Sequence, residues 1–184
     1  MTSIVYFIHI LEPSAPEDII TMANSLKFRN LRLAIFTLNC DSFSKNASIY
    51  FPEKKFPFTR LYEPKNRSIS MAPKGKTCIV IEVPYKDCDK IGEIDDDEFL
   101  MSIQNHLSSN NIINRSLFLE SKSVVMSNAY PVITKESKIN TKKIYKYLKS
   151  FKNLKMIGRN AQFKYLHTHH LFNNAFYKIN ELPS

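Results

Sequence analysis

Three glycines in 184 residues, Gly75, Gly92 and Gly158, set the first limit on this chain. Globular proteins carry about 7% glycine. Loops that cradle phosphates need several close together, because the backbone must approach the ligand with no Cβ in the way. Glycines this far apart write neither a G-x-G-x-x-G fingerprint nor a Walker A loop. By itself the chain is therefore neither a dinucleotide-binding nor a P-loop domain. The rest of the composition is ordinary for a folded protein, with 43% apolar and 23% charged residues. The length suits one ordinary domain or two small ones.

Lysine and arginine number 26 against 17 carboxylates, a formal charge of +9 and a pI near 9.4. Such a balance favours anionic partners. Most of the excess is lysine, a hydrated point charge, so a solvated lysine surface explains it without a dedicated phosphate site. Cys40, Cys78 and Cys88 are odd in number and form no C-x-x-C pair, which suggests neither a disulfide framework nor a zinc ribbon. A reducing, cytoplasmic location is expected. The run Ile4 to Leu11 is too short to span a bilayer and lacks the flanks of a secretory signal. It is expected to form a buried strand, and no transmembrane segment is expected.

Ser14-Ala-Pro-Glu17 predicts a helix start with Ser14 as cap, followed by an apolar stripe through Ile19, Ile20, Met22, Ala23 and Leu26. From Asn30 to Cys40 the residues alternate as in a half-buried strand, with Leu31, Leu33 and Ile35 on one face and Arg32, Ala34 and Phe36 on the other. Short strands are expected at Ser48 to Phe51, Phe58 to Glu63 and Thr77 to Val83. Asp95 to Ser109 reads as a helix whose first-turn carboxylates favour the positive end of its dipole. Its buried stripe would be Phe99, Leu100, Ile103 and Leu107. A strand at Ser121 to Val132, a basic helix at Thr141 to Phe151, a short strand at Leu154 to Ile157 and a helical tail from Tyr165 to Asn180 complete the pattern. This order predicts a single α+β unit over residues 1–184, with flanking helices on an antiparallel or mixed sheet.

Three stretches, taken in order, carry a resemblance. They are Phe58-Thr-Arg-Leu-Tyr-Glu-Pro-Lys-Asn-Arg-Ser68; then Lys76-Thr-Cys-Ile-Val-Ile-Glu82 followed by Asp89; then Asn128-Ala-Tyr-Pro131 with Ile157-Gly-Arg-Asn-Ala-Gln-Phe-Lys-Tyr165. Together they resemble the C-terminal, substrate-domain part of the FAD-dependent amine oxidase superfamily, in its branch of protoporphyrinogen oxidase-like and UDP-galactopyranose mutase-like proteins. The resemblance runs from about Pro16 to Ala175. It implies the substrate-domain fold of flavin amine oxidases without their Rossmann half, with residues 155–184 resembling the segment that closes over FAD. It also implies a Rossmann-type FAD-binding partner chain or upstream domain, and a small-molecule substrate.

By that resemblance Arg60, Glu63 and Lys65 face the substrate; a structural salt-bridge cluster is the alternative. Gly158 and Arg159 would lie beside the dinucleotide, and Phe163, Tyr165, His167 and His169 would follow along the flavin. Ala161, His167, His169 and Ala175 stand where the family commonly has glycine, Asn, Asp and glycine. Glu82 is expected at an exposed sheet position. His167, His169 and His170 have no Cys or carboxylate nearby in sequence to complete a metal site, so no metal is expected. No catalytic residue can be named. Ile144, Tyr147, Leu148 and Phe151 recur at helical spacing, which turns the aromatics of the lysine-rich helix towards a core and away from nucleic-acid stacking.

The expected function is a truncated or split portion of an FAD-dependent oxidoreductase, contributing substrate and flavin-side contacts. The competing class is a non-catalytic binding or interaction module for an anionic ligand or nucleic acid.

Overall fold

A computed structural model describes residues 3–180. The side chains of residues 179 and 180 of the expected helical tail, and residues 181–184 of the segment expected to close over FAD, lie outside what is described. The chain divides into two compact units, one formed by residues 1–29 with 128–184 and the other by residues 30–127.

The second unit is built on a sheet. Strand β1, Phe28–Leu38, enters it at Asn30 and pairs antiparallel with β4, Thr77–Tyr85, with Ala34 opposite Ile81. β4 pairs antiparallel with β3, Arg60–Tyr62, and β3 with β2, Ile49–Tyr50. The order is β2-β3-β4-β1-β5, where β5 is Phe118–Pro131. The strands expected at Asn30 to Cys40, Ser48 to Phe51, Phe58 to Glu63, Thr77 to Val83 and Ser121 to Val132 thus share one sheet. β1 and β4 read as near-continuous apolar runs because both are central, whereas β5 at the edge leaves most of its residues exposed.

Helix α3, Asp96–Ser109, packs on this sheet. Asp95 caps it by accepting from the backbone N–H groups of Asp97 at 2.8 Å and Glu98 at 3.4 Å. Phe99, Leu100, Ile103 and Leu107 are its buried stripe, as the spacing predicts. Each such burial contributes about 1.5–3 kcal/mol. On β1 the core-facing set is Ala34, Phe36 and Leu38, while Leu33 and Ile35 are only half-buried.

The first unit is helical. The run expected as a strand is instead helix α1, Ile4–His9, whose Ser3 hydroxyl accepts from the Tyr6 N–H at 3.2 Å. Ile4 and Ile8, one turn apart, are buried and rest in a core with residues of α2, Glu17–Asn24. α2 starts later than expected. Ser14 does not cap it; the Pro16 carbonyl receives the N–H groups of Ile19 and Ile20, and Glu17 and Asp18 occupy the first turn. Helix α4, Lys135–Leu148, begins earlier than the lysine pattern suggested, because Thr134 and Ser137 form a reciprocal capping box. Leu154 to Ile157 is irregular rather than a strand, and Leu154 and Met156 rest on the helical core. A single turn α5, Arg159–Gln162, and helix α6, Thr168–Asn180, follow.

Candidate functional site

The first two motif stretches are brought together in the second unit, because β3 and β4 are neighbours in register: Arg60 stands opposite Glu82. Their side chains form an ion pair. Glu82 is therefore not at an exposed sheet position as expected. It is buried, and it is stable there because Arg60 balances its charge. The guanidinium groups of Arg60 and Arg67 lie over the Tyr62 ring at 5.2 and 5.1 Å.

Glu63 is 1% exposed. Its carboxylate accepts from the Thr77 hydroxyl at 2.6 Å and from the backbone N–H groups of Ser44 at 2.9 Å and Phe43 at 3.1 Å. Lys65 donates to the Asp41 carboxylate at 3.0 Å and to the carbonyls of Asp41 and Lys76 at 2.8 and 3.0 Å. Asp41 also accepts the Gly75 N–H at 3.0 Å; that bond and then Lys65 hold its carboxyl below the usual carboxylate range. Gly75 has φ +75°, a left-handed conformation that only glycine enters at no steric cost, so this N–H can turn towards Asp41. Asp89 closes a turn by accepting the Lys86 N–H at 2.8 Å. Glu63 and Lys65 thus clamp the 41–46 loop and the 73–77 turn onto the end of the sheet.

The third stretch assembles in the first unit. Asn160, buried, donates to the Asn128 carbonyl at 3.0 Å, joining the two halves of the motif. The Arg159 guanidinium lies over the Tyr130 ring at 4.9 Å, and Tyr130 stacks obliquely on Tyr165 at 6.0 Å. Gly158 has φ +106°, and nothing lies within 4 Å of where a Cβ would stand. The buried Arg159 Nε has no hydrogen-bond partner among the described residues. Phe163, by contrast, is 4% exposed and meets Phe28 edge-on at 5.1 Å, so it belongs to the helical core. His167, His169 and His170 are exposed and lie against one another, with His169 and His170 Nε2 atoms 3.2 Å apart. No group of three His, Cys, Asp or Glu side chains among the described residues could hold a metal ion.

Sequence reasoning missed Asp41, Tyr62, Arg67 and Arg32. Arg32 is 2% exposed and donates to Ser123, to the carbonyls of Ile91 and Ile94, and to Asp96 at 2.5 Å. Its signal was present: an arginine within the run Leu31 to Phe36 must find several acceptors if it is buried.

The fold class these units define is α+β, an antiparallel sheet with flanking helices, and it is shared with solved structures. A crystal structure of reduced UDP-galactopyranose mutase matches with a TM-score of 0.67 and 16% identity, covering 79% of this chain and 31% of that one. A protein described as a protoporphyrinogen oxidase, from Exiguobacterium sp. 255-15, matches with a TM-score of 0.66 and 10% identity, covering 98% of this chain and 40% of that one. This chain therefore spans about a third of the length of these structures. Residues 18–98 match the family model described as UDP-galactopyranose mutase. The chain resembles the substrate-domain part of the FAD-dependent amine oxidase superfamily, in the branch that holds these two proteins. No curated protein matches it.

FAD is the cofactor that resemblance brings with it. The Gly158–Arg159 corner fits one flank of such a ligand: it leaves backbone open to close approach and carries a guanidinium group, the donor type suited to phosphate oxygens, whose buried Nε has no partner among the described residues. The chain has no closely spaced glycines to cradle a pyrophosphate.

Proposed function

We propose that this chain is the substrate-domain-like portion of an FAD-dependent oxidoreductase of the amine oxidase and protoporphyrinogen oxidase-like kind. A Rossmann-type FAD-binding part, in a partner chain or elsewhere in the same protein, supplies the phosphate cradle. When bound, FAD would supply the electron-accepting chemistry, and the protein orients it and tunes its field. Arg159 would donate to a phosphate oxygen and Gly158 would let the ligand pass close to the backbone. Tyr165, stacked on Tyr130, would border the flavin side, with His167 and His169 beyond it, whereas Phe163 holds this segment onto the helical core. On the other unit, the Arg60–Tyr62–Arg67 cluster would face a small-molecule substrate, with the charge of Arg60 balanced by Glu82, while Glu63 and Lys65 hold the 41–46 loop onto the end of the sheet.

The observation that carries this reading is the match of residues 18–98 to the mutase family within a fold shared with both solved structures. Three free cysteines accord with a cytoplasmic location, and no helix among the described residues is long and apolar enough to cross a membrane. The competing reading, a module for an anionic ligand, draws on the lysine excess. Nucleic acid suits it poorly, since Tyr145, Tyr147 and Phe151 pack against the helical core and offer little face for stacking. The test is to incubate the purified chain with FAD and separate it by gel filtration. The expected result is a colourless protein; flavin retained one to one would show that the chain holds the cofactor unaided and would overturn the need for a second part.

A further inference from the structure

The positive charge is unevenly divided. Residues 1–29 with 128–184 hold 13 lysines and arginines against 5 carboxylates, and residues 30–127 hold 13 against 12. Almost the whole excess therefore belongs to the first unit. Within it, ten basic side chains between Lys135 and Lys164 meet one carboxylate, Glu136. Net repulsion on this scale destabilises a compact unit unless solvent or a ligand offsets it.

The lysines are not spread over a flat face. Where α4 ends at Leu148 and the irregular run to Ile157 begins, the chain forms an open cavity of about 390 Å3. Lys149, Lys152, Lys155 and Lys164 stand around it, Phe151 and Met156 line it, and no carboxylate does among the described residues. Ligand sites are typically concave, mostly apolar and about 300–1,000 Å3, with a few convergent polar groups. None of these four ammonium groups makes an ion pair or a hydrogen bond with any described residue. A second cavity of about 410 Å3 shares Lys149 and Lys164 and adds Lys142 and Lys146. An anion seated at Lys149 and Lys164 would thus meet lysines from both sides.

The floor is fixed rather than fluid. The Tyr145 hydroxyl donates to the Ala161 carbonyl at 3.4 Å, and the Gln162 side-chain amide donates to the Met156 carbonyl at 2.9 Å. These bonds tie the irregular run and the α5 turn to α4, so the apolar lining is in place before any ligand arrives. Lysine stems are flexible and their heads are point charges, which suits an anionic group of variable shape.

We propose that this cavity binds a small amphipathic anion, with its phosphate or carboxylate group among Lys149, Lys152, Lys155 and Lys164 and its apolar body against Phe151 and Met156. The site is independent of the flavin reading, since it uses neither Gly158 nor Arg159. The probe is 1-naphthyl phosphate, followed by its fluorescence, with inorganic phosphate and 1-naphthol as the charge-only and body-only controls. A single saturable site is expected, with inorganic phosphate and naphthol each weaker by about tenfold or more, the loss of roughly 1.4 kcal/mol. The triple variant Lys149→Gln, Lys152→Gln, Lys155→Gln should weaken naphthyl phosphate by a further factor of about ten. The triple variant Lys45→Gln, Lys54→Gln, Lys55→Gln, which removes equal charge from the other unit, should leave it unchanged. Circular dichroism establishes that both variants are folded. Equal weakening in the two triple variants would mean net charge alone is at work and would overturn the site. So would inorganic phosphate binding as tightly as the ester. An oligothymidylate displacing the probe more strongly than unlabelled ester would overturn it in favour of a nucleic-acid face.

Discussion

Glu63 shows how a residue marked for substrate by resemblance can be occupied by the fold. At 1% exposure its carboxylate accepts the Thr77 hydroxyl and the N–H groups of Phe43 and Ser44. Removing it strands three donors, two of them on the backbone, and hydrogen bonds to a charged group are worth about 1.5–3 kcal/mol apiece but are not additive. Glu63→Ala is therefore expected to lower stability by about 3 kcal/mol, read as a shift of the urea midpoint with an unchanged slope. An unshifted midpoint would mean that the carboxylate does no structural work and is free for a ligand. The residue type and its place at a strand end were legible in the sequence. Its partners were not, because residues 43, 44 and 77 lie 14 to 20 positions away and nothing local announces that their donors converge. Arg159 is the opposite case. Its glycine neighbour marked the corner, and the structure adds what no sequence displays, a buried nitrogen with no partner among the described residues.

Elements were legible where local pattern and tertiary burial agree. The α3 stripe and its Asp95 cap needed nothing beyond spacing and first-turn carboxylates. Ile4 to Leu11 misled because a short apolar run fits a buried strand as well as a buried helix. The outcome was decided by the Ser3 cap and by burial of Ile4 and Ile8 in the helical core. On β1 the alternation was correct, but the buried face proved to be the one carrying Arg32. That was hard to foresee, since burying an arginine depends on acceptors supplied from residues 91–96 and 123, besides the Phe99 ring 4.3 Å beneath it. The bond between β1 and the first turn of α3 carries a pH prediction. The Arg32 hydrogen bond holds the Asp96 carboxyl below its ordinary value of 3.8, and the Gly75 N–H and Lys65 do the same for Asp41. A carboxyl depressed in the folded state contributes stability that is complete above its unfolded value and is lost as pH falls through the folded one. The urea midpoint should therefore be flat above about pH 5 and fall below about pH 4. The double variant Asp41→Asn, Asp96→Asn should fall less steeply than wild type in that window; parallel curves would mean that neither pair acts on stability.

At the scale of the whole molecule, two units place one recognisable cluster each: Arg60, Tyr62 and Arg67 on the sheet, and Gly158, Arg159, Tyr130 and Tyr165 beside the helices. The fold class was legible because strand alternation and two helical stripes survive in the local pattern. The division into two units was not, since the first is assembled from both ends of the chain. The central claim is that these clusters work only beside a dinucleotide-binding part that three scattered glycines cannot provide. The direct measurement is the visible absorption spectrum and mass of the protein recovered by affinity tag from its native cells. The account predicts a yellow assembly or longer chain that is larger than 21.4 kDa and carries about one flavin per copy of this sequence, with flavin loss accelerated by Arg159→Ala. A colourless protein of 21.4 kDa from the same cells would contradict it.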